Sequence, residues 1–202
     1  MIKLDVEQGS DEWFKARAGI PTASSFDKII TPTGKASTQA KGYLNKLVAE
    51  FIIGDKINIE SNKWMQRGVE LEPEAREYYE FMHDIEVEEV GLIYKNKSKL
   101  VSCSPDGILK DRGLEIKCPA PQTQIEYLLN NELPKKYIAQ VQGSMWITGL
   151  KRWDFLSYHP DLSQLLITVE ADKEYHSQLD ILLDKFIKIM VGNRKIITDR
   201  LR

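Results

Sequence analysis

The sequence predicts a mixed α/β (or α+β) domain with a mixed central β-sheet flanked by helices, and three observations carry that expectation. Apolar residues recur at helical spacing up to about residue 83, switch to strand spacing between Val87 and Cys118, and then alternate between the two regimes. Glycines and prolines fall between these runs, where turns need them. No repeat, low-complexity segment or linker interrupts the 202 residues, and a chain of this length fits one domain spanning 1–202 that buries about 70% of its unfolded surface. Helices, strands, helices, strands and a last helix is the order of a domain layered around a mixed sheet.

Residues 11–18 read as a short helix ended by Gly19. A second helix is expected over Thr22–Ile30, with Thr22, Ser24 or Ser25 as its cap. Thr31-Pro-Thr-Gly is a turn, and 38–53 has helical periodicity through Tyr43, Leu44, Leu47, Val48, Phe51 and Ile52. A further helical region covers 64–83, interrupted or restarted at Pro73, which is tolerated best in a first turn. Short strands follow at 87–94, 100–103, 107–110 and 114–118, stopped by Pro119 and Pro121. Helices are expected at 125–130 and 135–149, strands at 153–158 and 165–170, and an amphipathic helix from Asp172 to about Val191.

Composition excludes several classes. No apolar run approaches the ~20 residues of a membrane helix, and the N-terminal residues lack a leader profile, so a cytosolic protein with no membrane association is expected. Two cysteines, Cys103 and Cys118, cannot supply an iron–sulfur cluster or an all-cysteine zinc site. His83, His159 and His176 show no ligand spacing. Net charge is -2 but unevenly spread. Lys28, Lys35, Lys41 and Lys46 form an acid-free stretch, and the tail carries Lys185, Lys188, Arg194, Lys195, Arg200 and Arg202, while residues 70–89 hold nine acids and a single Arg76. A basic track on an acidic body suits an enzyme that grips phosphates and moves along them; solvated helix faces give the same counts.

The most informative stretch is Ser104-Pro-Asp-Gly-Ile-Leu-Lys-Asp-Arg-Gly-Leu-Glu-Ile-Lys-Cys-Pro. Glu115 and Lys117, two apart on a strand, project to one face while Ile116 turns into the core. A turn at 110–113 closing a hairpin would bring Asp106 back beside them. Two carboxylates and an ammonium on one sheet surface are what a metal-dependent phosphodiester cutter needs: oxygen ligands for a hard cation and a lysine to act on water. The same alternation also fits an ordinary half-solvated hairpin.

Three more segments join this one: Gln8-Gly-Ser-Asp-Glu-Trp-Phe-Lys-Ala-Arg-Ala-Gly-Ile-Pro-Thr-Ala-Ser, Arg67-Gly-Val-Glu-Leu-Glu-Pro-Glu-Ala-Arg, and Tyr137-Ile-Ala-Gln-Val-Gln-Gly-Ser-Met-Trp. In this order they resemble the lambda-type phage exonuclease (YqaJ-like viral recombinase) family of PD-(D/E)-x-K nucleases, over about residues 8–190. The resemblance implies a restriction-endonuclease-like core and a metal-dependent 5′→3′ exonuclease. Such an enzyme degrades one strand of linear duplex DNA, leaving 3′ overhangs for a phage single-strand annealing partner, and works as a homotrimer. It implies Asp106, Glu115 and the Ile116 carbonyl as metal ligands, Glu72 as the acid completing a second metal position, and Lys117 acting on the attacking water. Gln140 and Tyr137 would lie along the catalytic site. The ions would be Mg2+, with Mn2+ as a substitute, two per site. Arg17, Ser24 and Ser104 match positions that bind the terminal 5′-phosphate.

As ordinary residues, Glu72 would favour a helix N-terminus, with Glu70 or Glu74 as alternative ligands, and Ser24 and Ser104 would be a cap and a turn residue. One departure stands out: where the lambda-type member carries an arginine after the Cys-Pro pair, this chain has Gln122 and Thr123. The rival outputs are a structure- or sequence-specific endonuclease on the same core, or an inactive DNA-end-binding module. The cysteine count disfavours a CRISPR-associated iron–sulfur nuclease.

Overall fold

The computed structural model describes residues 1–57 and 63–201; Arg202 of the basic tail lies outside them. Two sheets form. Strands β1 (Ile2–Leu4), β2 (Leu92–Tyr94) and β3 (Ser102–Cys103) make an antiparallel sheet in that order. Strands β4 (Gly107–Ile108), β5 (Arg112–Lys117), β6 (Arg152–Ser157) and β7 (Leu165–Glu170) make the mixed one, in which only β5 and β6 run parallel. The expected hairpin is present, with Gly107 opposite Leu114 and Ile108 opposite Gly113. The parallel pair is bridged by helix α4 (Pro121–Asn130), a 3-10 turn (Lys135–Tyr137) and helix α5 (Ile138–Thr148), the crossover that parallel strands require.

Helices α1 (Asp11–Arg17), α2 (Ala40–Ile53), α3 (Lys63–His83) and α6 (Lys173–Arg200) complete the fold. Ser10 caps α1 through the Trp13 amide, and Asp172 caps α6 through the Tyr175 amide. α3 packs on one face of the mixed sheet, where Ala75 and Tyr79 meet Leu114, Ile116 and Leu156. The main core lies on the other side, around Phe26, Leu47, Met145, Phe155, Leu179 and Leu183. The alternation of β5 therefore sends Leu114 and Ile116 toward α3, and Glu115 and Lys117 toward α5.

The strand expected over 87–94 shortens to Leu92–Tyr94, the helix expected from 125 starts at Pro121, and three further differences have a physical reason. The segment after Gly19 is a 3-10 helix over Ala23–Lys28 rather than an α-helix from Thr22 to Ile30. Thr22 is held in a parallel bridge to Ser102, and Ile30 pairs with Ala36, so both ends are claimed by extended partners. Pro73 neither interrupts nor restarts α3. Val69, whose carbonyl loses its donor, is 72% exposed and lets water serve it. α6 runs on to Arg200 because Arg194, which reads as a solvated tail cation, is buried, donating to the Gly19 carbonyl and lying 4.4 Å from the Phe51 ring.

Two glycines permit the close approaches that shape the site. Gly19 adopts φ +74, with the Cβ of Phe51 2.9 Å from where its own would lie. A Cβ on Gly143 of α5 would meet the Phe26 ring at 2.4 Å, so the 3-10 turn carrying Ser24 rests directly on α5.

Candidate active site

β5 delivers Glu115 to the middle of the mixed sheet at 1% exposure. Its Oε1 accepts from Lys117 Nζ and, at 2.5 Å, from Gln140 Nε2 on α5. Its Oε2 is buried and has no hydrogen-bond partner among the described residues. The β4–β5 hairpin returns Asp106 to the same place: the Asp106 amide donates to Leu114, and Asp106 Oδ2 accepts the Ile116 N–H at 2.6 Å. Glu72 enters from α3, its Oε1 accepting from Arg76 at 2.8 Å. Arg76 also donates to the Asp106 carbonyl at 3.1 Å and pairs with Glu89 at 2.9 Å. Glu74, the alternative to Glu72, is engaged elsewhere, accepting from the Tyr158 hydroxyl at 2.5 Å.

The electrostatics follow from burial. Glu115 is pushed up to about 8 by burial and by Asp106, against the opposing pull of Lys117. Glu72 is pushed up to about 7 by burial and then by the Asp106 charge, and Asp106 is itself raised by burial. Burial draws Lys117 down, but Glu115 and Asp106 outweigh it and hold the ammonium charged. Three acids raised by burial, two of them further by the Asp106 charge and one with a bare oxygen, are a donor set short of positive charge. Among the described residues no three acidic, histidine or cysteine side chains converge on one point, because each carboxylate is held by its own donor. The oxygen-only donor set and the orphaned Glu115 Oε2 nevertheless fit a hard divalent cation.

Ile116 and Lys117 line a cavity of about 640 Å³ with Glu72, Lys136 and Tyr137. Tyr137 ends the 3-10 turn before α5, its ring 5.1 Å from that of Phe155 and 5.5 Å from Lys117 Nζ. A second cavity of about 560 Å³, lined by Gln8, Trp13, Arg76 and Asp106, shares Glu72 and Val69 with the first.

The N-terminal residues also come together. Arg17, 8% exposed, donates to Ser104 Oγ at 2.6 Å and Ser24 Oγ at 3.2 Å, and its guanidinium stacks 4.0 Å from the Trp13 ring. Burial lowers Arg17 to about 10. No carboxylate pairs with it among the described residues; its partners are hydroxyls and an aromatic face.

Sequence reasoning gave Arg76, Trp13, Thr22 and Gln8 no role at the site. Trp13 Nε1 donates to Ser104 Oγ and the Gly91 carbonyl, Thr22 Oγ1 stands 3.5 Å from Arg17, and Gln8 ties the 90 and 105 carbonyls together. Arg76 alone carried a local cue, standing four residues after Glu72 on a helix.

Residues 12–151 match the profile of the YqaJ-like viral recombinase domain. The chain belongs to the YqaJ-like viral recombinase family. Among solved structures, the alkaline exonuclease LHK-Exo from Laribacter hongkongensis is 31% identical to this family member, covering 95% of this chain and 98% of that one at a TM-score of 0.85. LHK-Exo has also been solved in complex with dAMP. A phage-related exonuclease from Haemophilus somnus shares the fold at 16% identity and a TM-score of 0.61, over 90% of this chain and 96% of that one. The fold is thus the restriction-endonuclease-like one of these exonucleases. A protein of Acanthamoeba polyphaga mimivirus is 28% identical over 173 residues, 74% of this chain, and this YqaJ-like chain spans only 29% of that protein's length. ExoD of Escherichia coli K12 is 33% identical over 57 residues, 27% of this chain and 66% of ExoD. Among the described residues no helix is long and apolar enough to cross a membrane.

Proposed function

We propose that residues 1–202 form one nuclease domain that degrades one strand of linear double-stranded DNA from its 5′ end in a divalent-metal-dependent reaction. The observation that carries this reading is the buried Glu115, one oxygen bare, beside Asp106 and Lys117. Asp106, Glu115, the Ile116 carbonyl and Glu72 are the groups that would hold Mg2+ or Mn2+, two ions in the full site. A divalent cation there supplies charge neutralisation at the phosphate and an acidified water.

The chain's own residues do the rest. Lys117, charged and tethered by Glu115, donates to the attacking water or to the phosphoryl oxygen. Gln140 fixes the Glu115 rotamer, and the Tyr137 ring flanks the Lys117 ammonium. Arg17, with Ser24 and Ser104, offers a terminal phosphate a guanidinium that no carboxylate among the described residues pairs with, in a dry setting where such hydrogen bonds are strong. Kinship with a named alkaline exonuclease, and the dAMP bound to it, support release of mononucleotides. The same kinship supports a cytoplasmic enzyme, assembled as a homotrimer, whose 3′ overhangs pass to a phage single-strand annealing protein.

Nucleotide release from linear duplex with Mg2+ tests this, comparing 5′-phosphate and 5′-hydroxyl ends alongside Lys117→Ala and covalently closed circles. Release that is faster from phosphorylated ends, absent on circles and lost in the variant is expected. Cleavage of circles would make the protein an endonuclease. DNA binding without metal-dependent release from any substrate would make it an end-binding module.

A further inference from the structure

The two cavities that meet at Glu72 and Val69 are chemically unlike. The one beside Arg17 carries Trp13, Asp106, Glu89 and the already paired Arg76. The other is lined by Lys117 and Lys136 together with Gln122 and Thr123 from the first turn of α4. Lys136 is exposed, and its ammonium rests 4.9 Å from the Tyr137 ring centre and 5.5 Å from that of Tyr127. Among the described residues no carboxylate forms an ion pair with it, whereas Lys117, across the same cavity, is committed to Glu115. The two tyrosines hold the ammonium through hydrogen bonds and ring faces and favour the charge without neutralising it. The 3-10 turn that carries Lys136 packs against the one that carries Ser24 and is continuous with α5, so the cation stands on rigid support.

With a strand's end at Arg17 and its first bond over Glu115, the cavity lined by Lys117 and Lys136 offers the rest of the strand a path next to the scissile bond. Building on the exonuclease reading, we propose that Lys136 binds a backbone phosphate of the strand that stays on the enzyme, on the 3′ side of the cut. An ammonium held by tyrosines and not neutralised by a carboxylate recognises a phosphate as a point charge, without regard to base. Arg17 then discriminates the end that is removed, and Lys136 retains the strand that remains, which assigns end preference and retention to different residues.

Lys136→Ala, Lys136→Arg and the neighbouring Lys135→Ala separate these roles on 5′-phosphate and 5′-hydroxyl duplexes. Lys136→Ala is expected to raise KM by about tenfold on both substrates, leave their ratio unchanged, and shorten the run of nucleotides released per encounter. In direct binding, the slope of log affinity against log salt should fall by about one. Lys136→Arg should restore most of the affinity, and Lys135→Ala, whose side chain does not line the cavity, should change KM less than about twofold. An unchanged KM and salt slope in Lys136→Ala overturns the proposal. So does a defect confined to phosphorylated ends, or an equal defect in Lys135→Ala. If the wild-type chain binds duplex but releases nothing, the exonuclease reading fails by itself, and the salt slope still decides the role of Lys136.

Discussion

Glu115 on β5 and Asp154 on β6 are equally buried, at 1% exposure, on neighbouring strands of one sheet, yet the fold treats them differently. Asp154 is saturated. Its Oδ2 accepts from the Tyr79 hydroxyl at 2.6 Å and from Arg112 at 3.3 Å, and its Oδ1 accepts from Thr168 at 2.6 Å. Glu115 uses one oxygen for both Lys117 and Gln140 and leaves the other bare. The strand register explains the division: Leu114 is opposite Asp154 and Glu115 opposite Phe155, so the two acids point to opposite faces. The α3 face consumes its carboxylate in structure, and the α5 face keeps one open. A buried acid is therefore informative about chemistry only when its oxygens are counted.

The largest effect should come from Glu115→Gln. It keeps the shape and removes the charge, so metal-dependent nucleotide release should drop by about a thousandfold or more, the scale of a group acting in the transition state, while thermal stability stays level or rises. A variant retaining near-wild-type release would put Glu115 in the same structural class as Asp154. Asp154→Ala should do the opposite, costing about 2–4 kcal/mol by stranding Tyr79, Thr168 and Arg112. Denaturant unfolding reads that loss, and the folded fraction should keep its turnover per molecule. A folded, stable, inactive Asp154→Ala protein would erase the distinction.

The third effect is smaller and depends on pH. Folding raises Glu115 from 4.5 to about 8 and Glu72 from 4.5 to about 7. The folded state then binds more protons than the unfolded one across that window. Stability should fall as pH rises from about 4.5 to 8, the reverse of a salt-bridged acid. Melting of the metal-free protein should show a downward slope of several degrees over this range, flattened in Glu115→Gln and by added Mg2+. A native profile already flat would mean that Glu115 and Glu72 are as well compensated as Asp154.

Much of this site was legible in the chain, and the reason is local. Glu115 and Lys117 are bound to one face by strand alternation, Asp106 is returned by a short hairpin, and Gln140 stands on a helix the periodicity marks out. What was not legible depends on long-range partners. Arg194 has the composition of a solvated tail and is a buried strut for Gly19. Thr22–Ile30 has helical spacing, yet Ser102 and Ala36 claim its ends as extended chain. Pro73 reads as a break, and the exposure of α3 at Val69 lets the helix pass through it.

By itself the sequence determined the mixed architecture, the hairpin that carries Asp106, Glu115 and Lys117, and the kinship with YqaJ-like recombinases. Each rests on periodicity or order along the chain. Only the tertiary structure decided which buried acid is spent and which is open, that Arg17 meets hydroxyls and an indole instead of a carboxylate, and that Lys136 lines the cavity of Lys117 held by tyrosines rather than by an acid. Those outcomes depend on which donors arrive from distant elements to fill each lone pair, and neither spacing nor composition encodes that count.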